Sequence, residues 1–410
     1  MVDMGTTAVA RFESLVEARG KGDRYPIFSA LRETTPVFRS ERLDMWVVTR
    51  YDDVLRVLQD EDAFTNLSKG RGTPLHGRIL LNMTGKEHRV KVGPLAKRIR
   101  DSTALDTSLR LLVDRIVSAA VDGLPASPSV VDLRTDFTSS FPLQVIAELL
   151  DIGEATAFRG WFDDINKAGL ESVAQPDVRE RGEAAIAQLW EFLAPIIADR
   201  RVNPADDLLS ALCQISYEGE PLSEREIVGY TSFLLVAGTE TTDRALCNLL
   251  VELSDEHSTW KQLRERRSLV TSACAEILRY VPPVQGLQRE AVRDVDVGGT
   301  EIPAGDHVLA LVASANRDAD VFEDPERFDV SRFEDDADRQ FLAAGRTLPF
   351  GAGRHFCTGS LVAKIEMAAA LNGLLDRFER IVPVDGQRPP HSGVIMHSPE
   401  SFPARLLEAG

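Results

Sequence analysis

Cysteine is scarce in this chain of 410 residues. The four cysteines, Cys213, Cys247, Cys274 and Cys357, lie far apart, and no C-x-x-C pair occurs. Structural zinc sites and disulfide frameworks are commonly built from closely spaced cysteines, so this usage disfavours both. We therefore expect reduced thiols and a protein of a reducing compartment.

Positive charge is also in short supply. The chain has 47 lysines and arginines against 64 aspartates and glutamates, which gives a formal net charge of −17. This balance argues against non-specific binding to nucleic acid or anionic lipid, and no basic run is long enough to reverse it locally. Nucleic acid is therefore not an expected partner.

A long apolar run is missing from the N-terminus. The first twenty residues include Arg11, Glu13, Glu17 and Arg19. They provide neither the apolar core of a signal peptide nor the ~20 apolar residues of a membrane span. We expect a cytoplasmic monomer with no membrane association. The overall hydrophobic content of 43% is nevertheless ample for a large buried core.

Most of the chain shows the periodicity of helices. Ser223 and Glu226 form a capping box, and the proline-free stretch after them, to about residue 254, predicts a helix of roughly 45 Å. Further helices are predicted at about 269–280 and 360–380, whereas about 35–50 and 287–314 have the pattern of strands and turns. With an expected C-terminal hairpin, the fold class is mainly α with a minor β portion.

No internal repeat or low-complexity linker divides the chain, so residues 1–410 are predicted to form a single domain. One segment stands apart. Residues 66–85 contain several glycines and a proline, too many for a long regular element, and the segment is long enough to be a functional loop such as a lid.

The decamer Phe350-Gly-Ala-Gly-Arg-His-Phe-Cys-Thr-Gly359 surrounds Cys357 with glycines. A lone cysteine is most often a small buried apolar residue, and glycine-rich stretches are most often turns. The alternative is that the glycines let the backbone fold closely around the sulfur, with amide groups free to donate to it. Such a sulfur is stabilised as a thiolate.

A second unusual run, Ala237-Gly-Thr-Glu-Thr-Thr242, lies inside the longest predicted helix. Glycine and β-branched threonine are poor residues for a helix interior. The threonine hydroxyls could bond to carbonyls one turn earlier, with the glutamate solvated. Alternatively, a helix loosened at Gly238 could admit a ligand or water beside the Thr241 hydroxyl and the Glu240 carboxyl, which can relay protons.

Two further patterns have an ordinary and a specific interpretation. Glu276 and Arg279 are spaced as an i,i+3 pair on one helical face, which is usually a surface ion pair. The segment Lys86–Arg100 concentrates positive charge in an acidic protein. It is either a solvated helix face or a docking patch for an acidic electron donor.

Together these runs resemble the cytochrome P450 family. The decamer matches F-G-x-G-x-H-x-C-x-G, residues 237–242 match A-G-x-[DE]-T-T, and Glu276-Ile-Leu-Arg279 matches E-x-x-R. The resemblance extends from about residue 35 to the C-terminus. It implies a soluble bacterial-type enzyme with a triangular, mainly helical fold, a long central helix over the haem, and one haem b.

The resemblance also implies roles for individual residues. Cys357 becomes the axial thiolate of the haem iron, Thr241 and Glu240 the groups that act on dioxygen and deliver protons, and Glu276 and Arg279 structural residues. Cofactor contacts are implied for Phe350, Gly351, Gly359, Ala237, and, as partners of the haem propionates, His355, Arg289 and His88.

One position departs from the family pattern. The family commonly has H-x-x-x-R at the third propionate contact, but four residues after His88 the chain has Val92. Arg89 or Lys91 could substitute. On a helix, however, a side chain one or three positions after His88 does not point in the same direction as a side chain four positions after it.

The implied reaction is monooxygenation of a hydrophobic small molecule, with electrons from a separate ferredoxin or flavodoxin that docks near the Cys357 loop and Lys86–Arg100. A natural-product tailoring role follows family habit. Oxidative coupling, nitration and peroxide-driven oxidation are alternatives with the same cofactor, and a haem carrier or sensor is an alternative of another class. The expected pocket walls are apolar: Leu234, Leu235, Val284, Leu287, Val394 and Ile395.

Overall fold

The computed structural model describes residues 4–66, 75–100, 104–125, 127, 129–171, 176–255 and 257–408. Helices dominate this part of the chain, as the sequence predicts. The α-helices are α1 (Met4–Glu17), α2 (Tyr25–Thr34), α3 (Tyr51–Gln59), α4 (Gly85–Arg100), α5 (Arg110–Asp122), α6 (Pro142–Leu150), α7 (Arg159–Glu171), α8 (Pro176–Val202), α9 (Leu208–Cys213), α10 (Glu224–Asp255), α11 (His257–Glu265), α12 (Val270–Tyr280), α13 (Val312–Ala315) and α14 (Ser360–Arg377).

The strands are short. They are β1 (Val37–Ser40), β2 (Met45–Val48), β3 (Phe64–Thr65), β4 (Val131–Asp132), β5 (Ser216–Tyr217), β6 (Glu220–Pro221), β7 (Leu287–Ala291), β8 (Val295–Val297), β9 (Thr300–Ile302), β10 (His307–Ala310), β11 (Phe378–Pro383), β12 (His391–Ser392), β13 (Ser398–Pro399) and β14 (Pro403–Glu408). The larger sheets have the strand orders β1-β2-β10-β7-β3 and β11-β14-β4, and β12 pairs with β13 near the C-terminus.

The predicted β segments agree with these strands, with two corrections. β1 and β2 form the antiparallel hairpin expected in 35–50. β7 to β10 lie within 287–314, but the chain is helical from Val312. The amide of Leu311 still donates to Val48 of the sheet, whereas the amides of residues 314–316 donate to carbonyls three or four residues back. α14 ends at Arg377, before the predicted 380, because Phe378 begins the pairing of β11 with β14.

Two compact units are present. The first contains residues 1–66, 117–138 and 241–410 and holds both larger sheets. Its sheet core includes Val48, Val54 and Val308, and a second cluster forms around Phe12 and Phe28. The second unit contains residues 67–116 and 139–240 and is mainly helical, with a core formed by the buried faces of α6, α8 and α10.

Helix α10 begins at the predicted capping box. The amide of Glu226 donates to the Ser223 hydroxyl at 3.2 Å, and the Glu226 carboxylate accepts from the Ser223 amide at 2.9 Å. The helix continues through Gly238 without a break. A Cβ at position 238 would lie 3.5 Å from Ile146 of α6, so glycine here sits against a neighbouring helix.

Residues 67–74 of the proposed lid segment lie outside the described residues; those from 75 onward form turns and a short 3₁₀ helix, Leu80–Asn82. None of the helices in the described part of the chain combines the length and the apolar character that a membrane span requires.

Candidate active site

Cys357 stands at the end of a tight turn that leads into α14. Gly351 and Gly353 have φ values of 72° and 69°, which residues with a Cβ rarely adopt. The amide of Cys357 donates to the carbonyl oxygen of Phe350 at 2.9 Å and so closes the turn. Since α14 begins three residues later, the sulfur precedes a helix N-terminus, which favours negative charge.

The thiol of Cys357 is exposed, whereas Cys213, Cys247 and Cys274 are buried. Burial raises the pKa of Cys213 to about 11 and that of Cys274 to about 12, and it also raises the pKa of Cys247. These three thiols therefore stay protonated and unreactive. The alternative interpretation of Cys357 as a small buried apolar residue is wrong.

The turn is held by close packing within the first unit. A Cβ at Gly353 would lie 3.1 Å from the carbonyl oxygen of Leu58, and a Cβ at Gly351 would lie 3.3 Å from Leu287. The ring of Phe350 lies 5.7 Å from that of Phe341. A Cβ at Gly359 would lie 4.0 Å from the sulfur. The glycines therefore let neighbouring segments approach the turn closely.

Arg289 is a buried cation on β7. Its side chain is 8% exposed, and its guanidinium donates to the adjacent carbonyl of Gln288 at 2.9 Å. Burial lowers the pKa of Arg289 to about 10, so it remains charged at neutral pH. No carboxylate of the described residues forms an ion pair with it. A buried guanidinium in this state is suited to an anionic ligand.

The other two predicted propionate contacts lie in different parts of the chain. His355 is half-buried in the turn that precedes Cys357, in the first unit. His88 is buried in α4, in the second unit. The structure thus places Arg289, His355 and Cys357 in one unit and His88 in the other.

The departure at Val92 has a packing explanation. Val92 packs against the apolar core of the second unit, where an arginine would be out of place. Lys91 does not replace that arginine: it is buried, and its ammonium lies 3.0 Å from Glu87 and 2.9 Å from Glu226. Arg89 is exposed. The spacing of Glu87 and Lys91 is an i,i+4 ion-pair signal that could have predicted this.

Ion pairs lower the number of exposed cations in the segment Lys86–Arg100. Lys91 is buried, and Arg98 is paired with Asp206. The exposed cations that remain in the segment are Lys86, Arg89, Lys97 and Arg100.

Glu240 and Thr241 are neighbours in α10. Glu240 is 7% exposed, and one of its carboxylate oxygens accepts a hydrogen bond of 2.8 Å from the side-chain amide of Asn166 in α7. The glutamate is therefore not solvated, which excludes the ordinary interpretation of this residue. Asn166 was not predicted, because its 74-residue separation from Glu240 leaves no local pattern.

The hydroxyls of Thr239 and Thr242 do not form the bonds to carbonyls one turn earlier that the ordinary interpretation expects. The Thr239 hydroxyl is buried and has no hydrogen-bond partner among the described residues. The Thr242 hydroxyl instead donates at 3.1 Å to Glu366 of α14, within the first unit. Burial raises the pKa of Glu366 to about 8, so this carboxyl is mostly protonated at neutral pH. Glu366 was also missed, although a glutamate between Ile365 and Met367 in an apolar helix is a detectable signal.

The pair Glu276 and Arg279 is fully buried, so its interpretation as a surface ion pair is wrong. Two guanidinium nitrogens of Arg279 contact the two Glu276 oxygens at 2.7 and 2.8 Å. Arg279 also donates to the carbonyls of Asn316, Pro325 and Arg327. The pair therefore ties α12 to the loops that follow α13.

The expected pocket walls divide between the units. Val284, Leu287, Val394 and Ile395 belong to the first, and a β-bridge joins Val284 to Met396. Leu234 and Leu235 belong to the second, where Leu235 is part of the apolar core.

Arg24 of the N-terminal segment supports the first group of walls. Its guanidinium donates to Gln285 at 3.1 Å, to the carbonyl of Gly393 at 2.9 Å and to that of Gly20 at 2.7 Å. The backbone amide of Gln285 in turn donates to the carbonyl oxygen of Ile395 at 2.8 Å. A cleft of about 1350 Å³ borders Arg24, but none of the predicted site residues lines it.

These features fit a haem group. An exposed thiol at a helix N-terminus suits a metal ion that prefers thiolate. The buried Arg289, which has no carboxylate partner in the described part of the chain, suits a carboxylate substituent. This chemistry is that of a haem-thiolate protein, and the residues present fit that class.

The chain belongs to the cytochrome P450 family. The profile of that family matches residues 174–402. The chain is 34% identical to pulcherriminic acid synthase of Bacillus subtilis over 90% of this chain and 91% of that protein. It is also 34% identical to mycinamicin IV hydroxylase/epoxidase of Micromonospora griseorubida, over 86% and 88%.

A solved structure gives the same result for the fold. Cytochrome P450 CYP109Q5 from Chondromyces apiculatus superposes with a TM-score of 0.82 and 30% identity, over 94% of this chain and 96% of that one. The protein is accordingly a cytochrome P450 monooxygenase whose cofactor is haem b and which uses O2 and a hydrophobic substrate.

Proposed function

We propose that Cys357 is the iron ligand of an enzyme that inserts one oxygen atom of O2 into a hydrophobic natural product. The observation that carries this is the presentation of a single exposed thiol before α14, while the other three thiols are buried. Arg289 and His355, with His88, would pair with the haem carboxylates. Bound haem supplies the activation of dioxygen.

The test is the spectrum of the reduced carbon monoxide complex. Thiolate ligation places its Soret band far to the red, and Cys357→Ala should abolish that band. Cys213→Ala, which removes a buried thiol, is the matched control and should keep it. A histidine-like spectrum of the wild type would overturn the assignment.

Glu240 and Thr241 would supply protons to the oxygen being reduced. The carboxyl is buried and hydrogen-bonded, and the hydroxyl is next to it in α10, which suits a short relay. Thr241→Ala should still bind substrate but release more of the consumed oxygen as peroxide. Unchanged coupling of electrons to product would remove Thr241 from this role.

The substrate class rests on apolar walls and on relatives. One relative is named for hydroxylation and epoxidation of mycinamicin IV, and the expected wall residues here are aliphatic. Screening natural products for the substrate-induced change of haem spin state would identify binders. The mass of the product then separates oxygen insertion from coupling or nitration.

A ferredoxin or flavodoxin would deliver the electrons. Lys86, Arg89, Lys97 and Arg100 are exposed cations on or near α4 of a protein with net charge −17, which favours an acidic partner at this surface. Lys97→Glu should weaken reduction by a ferredoxin at low salt, whereas Lys261→Glu on α11 should not. Reduction rates that do not respond to salt would contradict this docking surface.

A further inference from the structure

The contact between α7 and the acid of α10 is unusual in its chemistry. Glu240 is 7% exposed, and the group bonded to it at 2.8 Å is the neutral amide of Asn166. The Asn166 amide nitrogen donates to the carboxylate. Its oxygen, also buried, has no hydrogen-bond partner among the described residues. One half of the amide is thus engaged and the other half is unused.

A neutral amide can form a hydrogen bond with either protonation state of a carboxyl group. A lysine or arginine in this place would favour the ionised form, and a second acid would favour the protonated form. The amide nitrogen can donate to the carboxylate. After a half-turn of the amide, its oxygen can accept from the carboxylic acid instead.

We propose that Asn166 is a positioning residue that holds Glu240 through its proton cycle by pairing with it in both states. The inference rests on the proposed function of Glu240. Insertion of one atom of O2 and reduction of the other to water consumes two protons and two electrons, the electrons coming from the ferredoxin or flavodoxin. Glu240 gives up its proton towards the reacting oxygen and regains one from water, and Asn166 keeps the carboxyl in place throughout.

The surroundings support a role for the amide itself. Asp163, one turn earlier in α7, is close enough to Glu240 for that carboxylate to contribute to raising the pKa of Asp163, although burial is the larger cause. Glu240 is therefore near a second acid, and Asn166 is a neutral donor to its carboxylate. Loss of that donor removes a hydrogen bond to a charged group.

The experiment is a single turnover. Reduced holoenzyme, loaded with a substrate found in the spin-state screen, is mixed rapidly with dioxygen and reduced ferredoxin, and the return of the oxidised haem spectrum is followed in H2O and D2O. Asn166→Leu removes the amide at similar volume. We expect it to slow this return about tenfold and to increase the solvent isotope effect. Asn166→Gln, which retains an amide, should lie closer to the wild type.

Controls separate the possible failures. Asn203→Leu removes an amide-to-carboxylate bond of 3.0 Å at an exposed position, so it should behave like the wild type. Each variant is first checked for the carbon monoxide band and for its melting temperature.

Comparison with Glu240→Gln decides the outcome. If Glu240→Gln reacts normally, the proposed function of that acid fails. If it is slow while Asn166→Leu is normal, only the present inference is overturned. In the double variant the Asn166 change should add no further slowing, and additive effects would place the action of Asn166 elsewhere.

Discussion

Burial decides which single side chains can change charge in this protein. Glu366 is the clearest case, because its carboxyl is fully enclosed and accepts a hydrogen bond of 3.1 Å from the Thr242 hydroxyl. Its pKa rises from the ordinary 4.5 to about 8 in the folded state. Between these values the folded chain keeps a proton that the unfolded chain releases. The free energy of unfolding therefore falls as pH rises through this window.

Glu366→Gln should remove that dependence. We expect the wild type to lose stability relative to the variant between about pH 5 and pH 8. Only the wild type has a carboxyl at position 366 that stays protonated in the folded chain and ionises in the unfolded chain. Urea unfolding midpoints of the holoenzyme at several pH values measure this. Glu265→Gln, at an exposed position of α11, is the control. Parallel curves for Glu366→Gln and the wild type would contradict the prediction.

Arg289 gives a second residue-level prediction. Since its buried guanidinium has no carboxylate partner among the described side chains, Arg289→Leu should release haem to apomyoglobin about tenfold faster than the wild type. Arg289→Lys keeps a positive charge and should fall between the two. Equal rates for all three proteins would show that Arg289 does not hold the cofactor.

Glycines set how closely elements approach one another. In the second unit, His76 bonds Ser232 of α10 through its ring at 2.9 Å, and a Cβ at Gly229 would lie only 2.4 Å from the carbonyl oxygen of His76. Position 229 therefore admits the described part of the proposed lid segment, which begins at residue 75. The sequence shows Gly229 as an unfavourable residue inside a helix, but only the fold shows what lies against it.

Gly229→Ala should destabilise the protein by about 1–3 kcal/mol, because either α10 or the segment at His76 must move. In α7, a Cβ at Gly160 would meet no atom within 4 Å. Gly160→Ala should therefore be neutral or stabilising by up to about 1 kcal/mol. Thermal unfolding of both variants measures the difference, and equal losses would show that contact with His76 does not constrain position 229.

Motif-bearing elements were the most predictable part of the fold and the site. The capping box at Ser223 and the glycines before Cys357 act within a few residues of chain, so their patterns specify local geometry. Asn166 and Arg24 escaped prediction because their partners lie 74 and up to 369 residues away. Lys91 belongs to the cation-rich segment Lys86–Arg100, but the burial of its side chain depends on Glu226 of a distant helix.

At the scale of the molecule, the buried ion pair of α12 organises the first unit. Arg279 and Glu276 are both 0% exposed and bond to backbone groups between residues 316 and 329. Arg279→Met would leave the Glu276 carboxylate buried without its main partner. Removal of one partner from such a pair costs about 3–5 kcal/mol.

We therefore expect Arg279→Met to be strongly destabilised and to accumulate little folded holoenzyme. Lys261→Met breaks an exposed pair with Glu265, and it should cost about 1 kcal/mol or less. Yield of the carbon monoxide band per unit of total protein and the melting temperature measure both effects. Similar values for the two variants would show that the buried network is dispensable.

The bonds of Arg24 have a consequence for laboratory evolution of the enzyme. Gly20, with φ of 73°, lies so close to Gly393 that a Cβ would come within 2.3 Å of its carbonyl oxygen, and Arg24 joins both to Gln285. Substitutions near the N-terminus can therefore change the conformation of the segments 284–287 and 393–396 without replacing any residue within them. We expect selections for new substrates to recover changes at positions 20 and 24, which a library restricted to pocket residues would omit.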